Sequence, residues 1–472
     1  MSRAKYFPLI FITKIWYFLR ETFIRHEFPS IQRDFFKRNR VYIITGILLF
    51  IIALFYRSWE NLTQPGLYVE DAFYFNRYYG GNQPFSMVWN KLFGYLTLIV
   101  DVYAWLVSKV DIRIQPGLYL LFAIIIGITN AVNLNFSGLF KSRLILLVAP
   151  LVLGLTGMNH IFYYNTLVYQ FYTTVLLSLC LLFYPAPRTK SGLAGMSILF
   201  CILPWSGPYS VLAIPVGVLL LLFFRDRKKG FLIVIMIIST LFYYGTVHSN
   251  TTMLGNIFDG RVISYYYEVL FKEIFFLGYL GDPTITKAGI FLFCLMLLFY
   301  LQRKDKICIK LSLVFLVLTV GALAPYFLSL KVNYNKCGAA YMLISYFFWL
   351  VFLLYNLDKF LLRNSLKYVK VLFVLLFLVL VAVDNYPRQR KKVVVNEGIA
   401  AFVDAIHHYE QLDLKGNNIF IKLQFNDAYA NFKPRVIIGS RKRDAMQVGA
   451  DYFKFPYGRK FIINPTTQPD KG

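Results

Sequence analysis

The chain has 472 residues, of which 58% are hydrophobic and only 16% charged, with a mean hydropathy of +0.55. Soluble globular proteins carry about 45–50% apolar and about 25% charged residues, so this composition excludes an ordinary soluble enzyme. The net charge of +26 lies mostly in short clusters between apolar blocks, as in cytoplasmic loops under the positive-inside rule, and no zinc-finger, RRM or helix-turn-helix pattern points to nucleic acid.

Residues 1–40 are basic and aromatic. Lys14 interrupts their apolar run, no small-residue cleavage site follows it, and the segment reads as an interfacial helix on the inner leaflet. Lys37, Arg38 and Arg40 stand directly before the first clear span, 41–56, and put the N-terminus in the cytoplasm. Further apolar runs follow at 117–136, 142–157, 166–184, 192–206, 208–224, 231–247, 286–302, 311–330, 338–356 and 369–384. Together they predict an all-α polytopic membrane protein of about 11 transmembrane helices. Every second connection is basic, among them Lys141/Arg143, Arg188/Lys190, Arg225–Lys229, Arg303–Lys310 and Lys359–Lys370.

That alternation holds only if residues 86–109, interrupted by Lys91 and Asp101, do not cross but form one or two helices at the outer surface. The opposite connections are then external, the largest being the first, 57–116, and they hold nearly all the acids between spans. Residues 41–384 thus form the transmembrane domain. The tail 385–472 changes composition: NEGIAAFVDAIHHY has helical spacing, while NIFIKLQF and RVIIGS have strand character. It reads as a small external α/β domain. Five cysteines, Cys180, Cys201, Cys294, Cys308 and Cys337, lie in or beside apolar segments without a CxxC pair and read as packing residues.

The first external connection contains PGLYVEDAFYFNRYY, residues 65–79. Its adjacent carboxylates Glu70 and Asp71 suit a general base, a cation site or metal ligation. The PGLY turn before them and the rings of Phe73, Tyr74, Phe75, Tyr78 and Tyr79 after them predict a structured, partly buried loop. There is no Walker A loop, no GxGxxG after a strand, no GxSxG and no HExxH, and no room for a soluble nucleotide-binding domain.

The P-x-L-x-x-E-D pattern, followed by Phe75, Gly80-Gly81 and Gly94-Tyr95-Leu96, resembles a bacterial family within the GT-C class of integral-membrane glycosyltransferases. Asn159-His160 and Trp205-Ser206-Gly207-Pro208 fit the same pattern. The likeness covers roughly residues 60–225; where the family's pattern has Arg-Tyr in the last third, this chain has Ala340-Tyr341. The resemblance implies an inverting hexosyltransferase-type enzyme. It would move a sugar from a polyprenyl-phosphate carrier to a lipopolysaccharide, other surface glycan, lipid or protein acceptor. The reaction would take place on the periplasmic face of a bacterial inner membrane.

In that scheme Asp71 is the catalytic base with Glu70 as its partner, or the reverse. Cations on the same side would hold the donor phosphate; Arg261, Lys336, Arg77 and His160 are the candidates, and each is otherwise an ordinary interfacial group. No cofactor is obligatory, although Glu70 and Asp71 would suit Mg2+ or Mn2+. The competing readings are a lipid-linked glycan transporter or flippase, and a polysaccharide polymerase or ligase.

Overall fold

The structure is a computed structural model. It describes residues 33–57, 69–78, 83–91, 96–110, 114–155, 169–184, 186–187, 189–223, 227–246, 305–328 and 343–363, four strands after residue 419, and a few isolated residues. The chain divides into two compact units. One comprises residues 1–53, 128–159 and 170–386; the other comprises 54–127, 160–169 and 387–472.

The described helices are α1 (Arg33–Arg57), α2 (Val69–Tyr78), α3 (Leu98–Val107), α4 (Gln115–Phe136), α5 (Arg143–Leu155), α6 (Tyr169–Phe183), α7 (Lys190–Ile202), α8 (Ala213–Phe223), α9 (Arg227–Thr246), α10 (Lys306–Leu328) and α11 (Leu343–Arg363). Four of them, α1, α4, α9 and α11, are long and apolar enough to cross a membrane, and a fifth candidate is a bent pair. The sequence expectation of about eleven spans is therefore met for four or five among the described residues. Expected spans 286–302 and 369–384 lie largely outside them.

Two boundaries shift. Helix α1 runs unbroken from Arg33, so the division expected at residue 40 falls inside a helix. Residues 86–109 contain a short 3-10 helix, Phe85–Trp89, and the ten-residue α3. Ten residues rise about 15 Å, half of a hydrocarbon core, so α3 is too short to span.

In the first unit, α1 and α5 approach closely. Pro150 lies inside α5 and has no N–H to give to the carbonyl of Leu146, four residues earlier. The Asn135 side chain fills that role, its Nδ2 donating to Leu146 O at 3.0 Å. A Cβ on Gly46 of α1 would collide with the same carbonyl, so only glycine lets α1 approach it. Helix α5 is capped from α11: the buried Asp358 carboxylate accepts the Lys141 and Ser142 N–H groups at 3.0 and 2.8 Å. Helix α11 is the most enclosed candidate span, with 72% of its apolar window buried against 33% for α1.

The bent pair joins Lys190–Ser206 to Pro208–Leu221 at 118°. Gly207 makes the break at φ +151°, a conformation that side chains disfavour. Unpaired backbone is costly in an apolar medium, and local side chains answer it here. Ser210 donates to Pro204 O at 3.0 Å, Tyr244 donates to Pro208 O, and Ser239, itself accepting from the Trp205 indole, donates to Cys201 O.

Beyond residue 419, strands β1 (Phe420–Asn426), β2 (Pro434–Gly439), β3 (Asp451–Lys454) and β4 (Lys460–Thr466) form one sheet in the order β2-β1-β4-β3. The central pair β1/β4 is parallel and both outer pairs are antiparallel. Pro434 opens an edge strand, where its missing N–H is tolerated. The expected strands at NIFIKLQF and RVIIGS coincide with β1 and β2; the expected helix at 396–409 lies outside the described residues.

Gly46→Ala is expected to lower the melting temperature in detergent, because the new methyl group meets a carbonyl that cannot withdraw. Gly195→Ala, with nothing within 4 Å of its Cβ, is the matched control and should be neutral or slightly stabilising, since alanine is the better helix former. Equal melting temperatures for the two variants would contradict the close approach.

Candidate functional site

The acidic pair stands in a helix rather than in the expected loop: Glu70 and Asp71 occupy the first turn of α2, where negative charge suits the helix dipole. Adjacent helical residues project about 100° apart, so the two do not act as one face. Asp71, Tyr74, Phe75 and Tyr78 fall at i, i+3, i+4 and i+7, a single stripe, and none is more than 2% exposed. Asp71 is thus the carboxylate on the buried aromatic face. The Glu70 side chain lies outside the described residues.

A second carboxylate completes the arrangement. Asp101 of α3 is fully buried. Its Oδ1 accepts from the Tyr78 hydroxyl at 2.8 Å and its Oδ2 from the Thr97 hydroxyl at 2.8 Å. The Tyr74 and Thr97 hydroxyl oxygens are 2.7 Å apart. Since the single Thr97 hydroxyl hydrogen goes to Asp101, Tyr74 is the donor in that bond. A relay of Tyr74 to Thr97 to Asp101 therefore ties α2 to the start of α3.

Arg77 supplies the counter-charge, its Nη1 being 3.2 Å from Asp101 Oδ1. Its Nη2 donates to the carbonyls of Met87 at 2.9 Å and Asn90 at 2.6 Å, which fastens the Phe85–Trp89 turn to α2. In this arrangement Arg77 is a structural cation. The expectation gave Arg77 a phosphate-binding role; here its guanidinium meets a carboxylate and two carbonyls.

Burial dominates the electrostatics. It pushes the Asp101 carboxyl up to about 6 despite the opposing pull of Arg77 and the hydrogen bonds from Thr97 and Tyr78. Burial and the nearby Asp101 charge also hold the Tyr78 hydroxyl well above the usual tyrosine range. Tyr119 of α4 lies within electrostatic reach of both Asp71 and Asp101. Around it, the Tyr103 hydroxyl donates to Leu118 O at 2.6 Å, Tyr103 stacks at a tilt on Phe122 at 4.4 Å, and Phe122 meets Tyr169 at 5.5 Å. The site gathers two buried carboxylates, Asp71 and Asp101, among aromatic rings, with Arg77 paired to Asp101.

Of the other expected residues, His160, Arg261 and Lys336 lie outside the described residues. Among the described residues no group of three His, Cys, Asp or Glu side chains gathers to hold a metal ion. Sequence reasoning met Asp101 only as an interruption of an apolar segment. The available signal was the Thr97–Asp101 spacing of i, i+4 beside Arg77-Tyr78: an acid in an apolar helix requires a partner. The chain matches no protein-family model and no curated protein.

The raised Asp101 pKa makes a signed prediction. The folded state holds this proton more tightly than an unfolded chain with the ordinary value of 3.8. The group's contribution to stability is therefore fully present below about pH 4 and lost as pH rises through about 6. Thermal melts should fall across that window, and Asp101→Asn should remove the fall and melt higher than wild type at pH 7–8. Arg77→Gln should move the midpoint above 6, because the pull holding Asp101 ionised is gone. A lower melting temperature for Asp101→Asn at pH 7–8 would mean that the ion pair outweighs burial.

Proposed function

We propose that the protein is a GT-C-type membrane glycosyltransferase that moves a sugar from a polyprenyl-phosphate carrier to a surface glycan, lipid or protein acceptor, with Asp71 as general base. The observation that carries this reading is the position of Asp71: a buried carboxylate on an aromatic helix face, braced by the Arg77–Asp101 network. Rings suit sugar faces, and a sugar phosphate already carries its leaving group. The enzyme then needs a base, cations at the phosphate and orientation.

Asp71 accepts the proton of the acceptor hydroxyl as that oxygen bonds to the anomeric carbon. The bond from that carbon to the phosphate oxygen breaks, its electron pair leaves with the polyprenyl phosphate, and configuration inverts. Asp71 then returns the proton to water. Asp71 is 1% exposed, so acceptor entry involves displacement of the side chains around it. Arg261, Lys336 and His160 remain the candidates for the leaving phosphate, and Glu70 for assisting Asp71.

With the basic connections inside, the N-terminus would be cytoplasmic, and the family resemblance implies that the site faces outwards from a bacterial inner membrane. The division of the chain supports that orientation. Residues 54–127, 160–169 and 387–472 gather in one unit; these include the first expected external connection, most of the second and nearly all of the tail, together with part of the expected spans 117–136 and 166–184. The bent pair fits as well. Basic residues flank it at Lys190 and at Arg227-Lys228-Lys229, which suits a hairpin with both ends inside better than a single crossing.

Asp71→Asn should reduce transfer of labelled sugar in a membrane assay by about 10²–10⁴-fold, the usual contribution of general base catalysis, while Glu70→Gln should have a smaller effect. Full activity of both variants at normal expression would overturn the assignment. A cysteine at the exposed Ser86 should react with a membrane-impermeant thiol reagent from the outside of intact cells; reaction only after permeabilisation would reverse the orientation.

A transporter for lipid-linked glycans is the second reading, favoured by one observation, the broken helix pair at Gly207, since discontinuous helices line many transport sites. Reconstituted vesicles separate the two: an enzyme forms a glycosylated product without moving donor across the bilayer, and a transporter does the reverse.

A further inference from the structure

The helix break at Gly207 holds two polar atoms that its own repairs leave unanswered. The Ser210, Tyr244 and Ser239 hydroxyls are taken up by the carbonyls of Pro204, Pro208 and Cys201, and the Trp205 indole by Ser239. Gln170 Oε1 and Ser206 Oγ have no hydrogen-bond partner among the described residues, although Gln170 is 3% and Ser206 1% exposed. The backbone carbonyl of Gln170 already receives the Thr173 and Thr174 hydroxyls, so only its side chain is left over. The two atoms belong to one place. Gln170 stands in the first turn of α6, and a Cβ at position 207 would meet its Oε1 at 2.5 Å, so the amide lies against the backbone next to Ser206.

The surrounding chemistry selects an occupant. A buried polar atom without a partner is costlier than an apolar one in its place, so an amide and a hydroxyl left over together mark a place for a ligand's polar group. None of the described side chains that make or repair the break carries a charge. That disfavours a phosphate or a metal ion, whose burial needs an opposite charge. A neutral hydroxyl group suits both atoms, donating to the amide oxygen and accepting from the serine. Rings flank the pair: Phe171, next to Gln170, meets Tyr209 at 4.2 Å, and Trp205, next to Ser206, meets Tyr243 edge-on at 6.1 Å. Aromatic walls with a few placed amide and hydroxyl groups suit a small polyhydroxylated ring.

We propose that Gln170 and Ser206 form a sugar subsite, in which one hydroxyl group of a neutral hexose donates to Gln170 Oε1 and accepts from Ser206 Oγ. Both residues are enclosed, so entry displaces side chains around them. The subsite rests on the proposed function only in that the protein handles a carbohydrate. It requires neither the base at Asp71 nor any reaction, since an enzyme and a transporter alike must hold the sugar. Gly207 then has a second purpose besides the turn: the missing side chain is the space that the Gln170 amide occupies.

The test uses the full-length chain in phosphatidylcholine nanodiscs and saturation-transfer NMR with the methyl glycosides of glucose, galactose and mannose, a readout that needs no sugar transfer. At least one glycoside should receive saturation above that from empty discs. Gln170→Met and Ser206→Ala, which exchange each polar group for an apolar one, should each weaken that binding about five- to tenfold, the loss of one hydrogen bond. Without sugar both variants should melt at or above wild type, because an unanswered polar group is gone. Wild type that binds no glycoside, as when the pair holds water alone, overturns the proposal, as does binding that both variants retain. A variant that melts below wild type also overturns it, by showing the pair satisfied within the fold. Glycoside binding that depends on both residues, with no transfer of labelled sugar in the membrane assay, would remove the enzyme reading and uphold the subsite.

Discussion

A carboxylate with no access to water has to be answered by donors in fixed places, and Asp101 imposes that requirement on α2, α3 and the turn between them. Three side chains meet it directly: Thr97 from the turn before its own helix, and Arg77 and Tyr78 from α2. Arg77 then passes the constraint on through two carbonyls of the Phe85–Asn90 turn. Three separate pieces of chain are thereby held in one register. Rotating α2 by a single residue, about 100°, would remove both of its donors from Asp101 and carry Asp71 off the aromatic face. The position of the proposed base follows from the burial of a different acid.

The helical, membrane-type character of the chain was legible because it depends on composition and on blocks of apolar residues, which a sequence displays directly. Strands β1 and β2 were legible for the related reason that NIFIKLQF and RVIIGS are compact apolar runs. The helical state of VEDAFYFNRY was missed. Its rings and acids looked like a loop lining, and the i, i+3, i+4, i+7 stripe of Asp71, Tyr74, Phe75 and Tyr78 was obscured by the ring at Phe73. The sequence shows Arg77 only as an interfacial cation and phosphate candidate, because its partner lies 24 positions along the chain, at Asp101. Long-range pairing of that kind has no local signature. Asp101 itself was visible, but only as a flaw in an apolar segment.

Elsewhere the need to pair backbone groups at helix breaks and helix starts governs the structure. At the Gly207 break, carbonyls released from helical bonding are met by Ser210, Tyr244 and Ser239. Asp305 accepts the Ile307 and Cys308 N–H groups at the start of α10 while pairing with Lys359 of α11 at 3.2 Å. Asp358 serves the start of α5 in the same way. Asp305 and Asp358 therefore work as caps at helix starts, where unpaired N–H groups gather.

Pro150 shows how far one missing hydrogen reaches. Its absent N–H leaves the Leu146 carbonyl to Asn135, and the same carbonyl sets the limit on what can stand at residue 46. Three residues on three helices are thus answers to one atom. A proline-to-alanine change would restore a competing donor and leave the Asn135 amide in an apolar surrounding with its purpose gone. Substitutions at 46, 135 and 150 would not add as independent effects. Chains descended from this one should hold or exchange the three as a set.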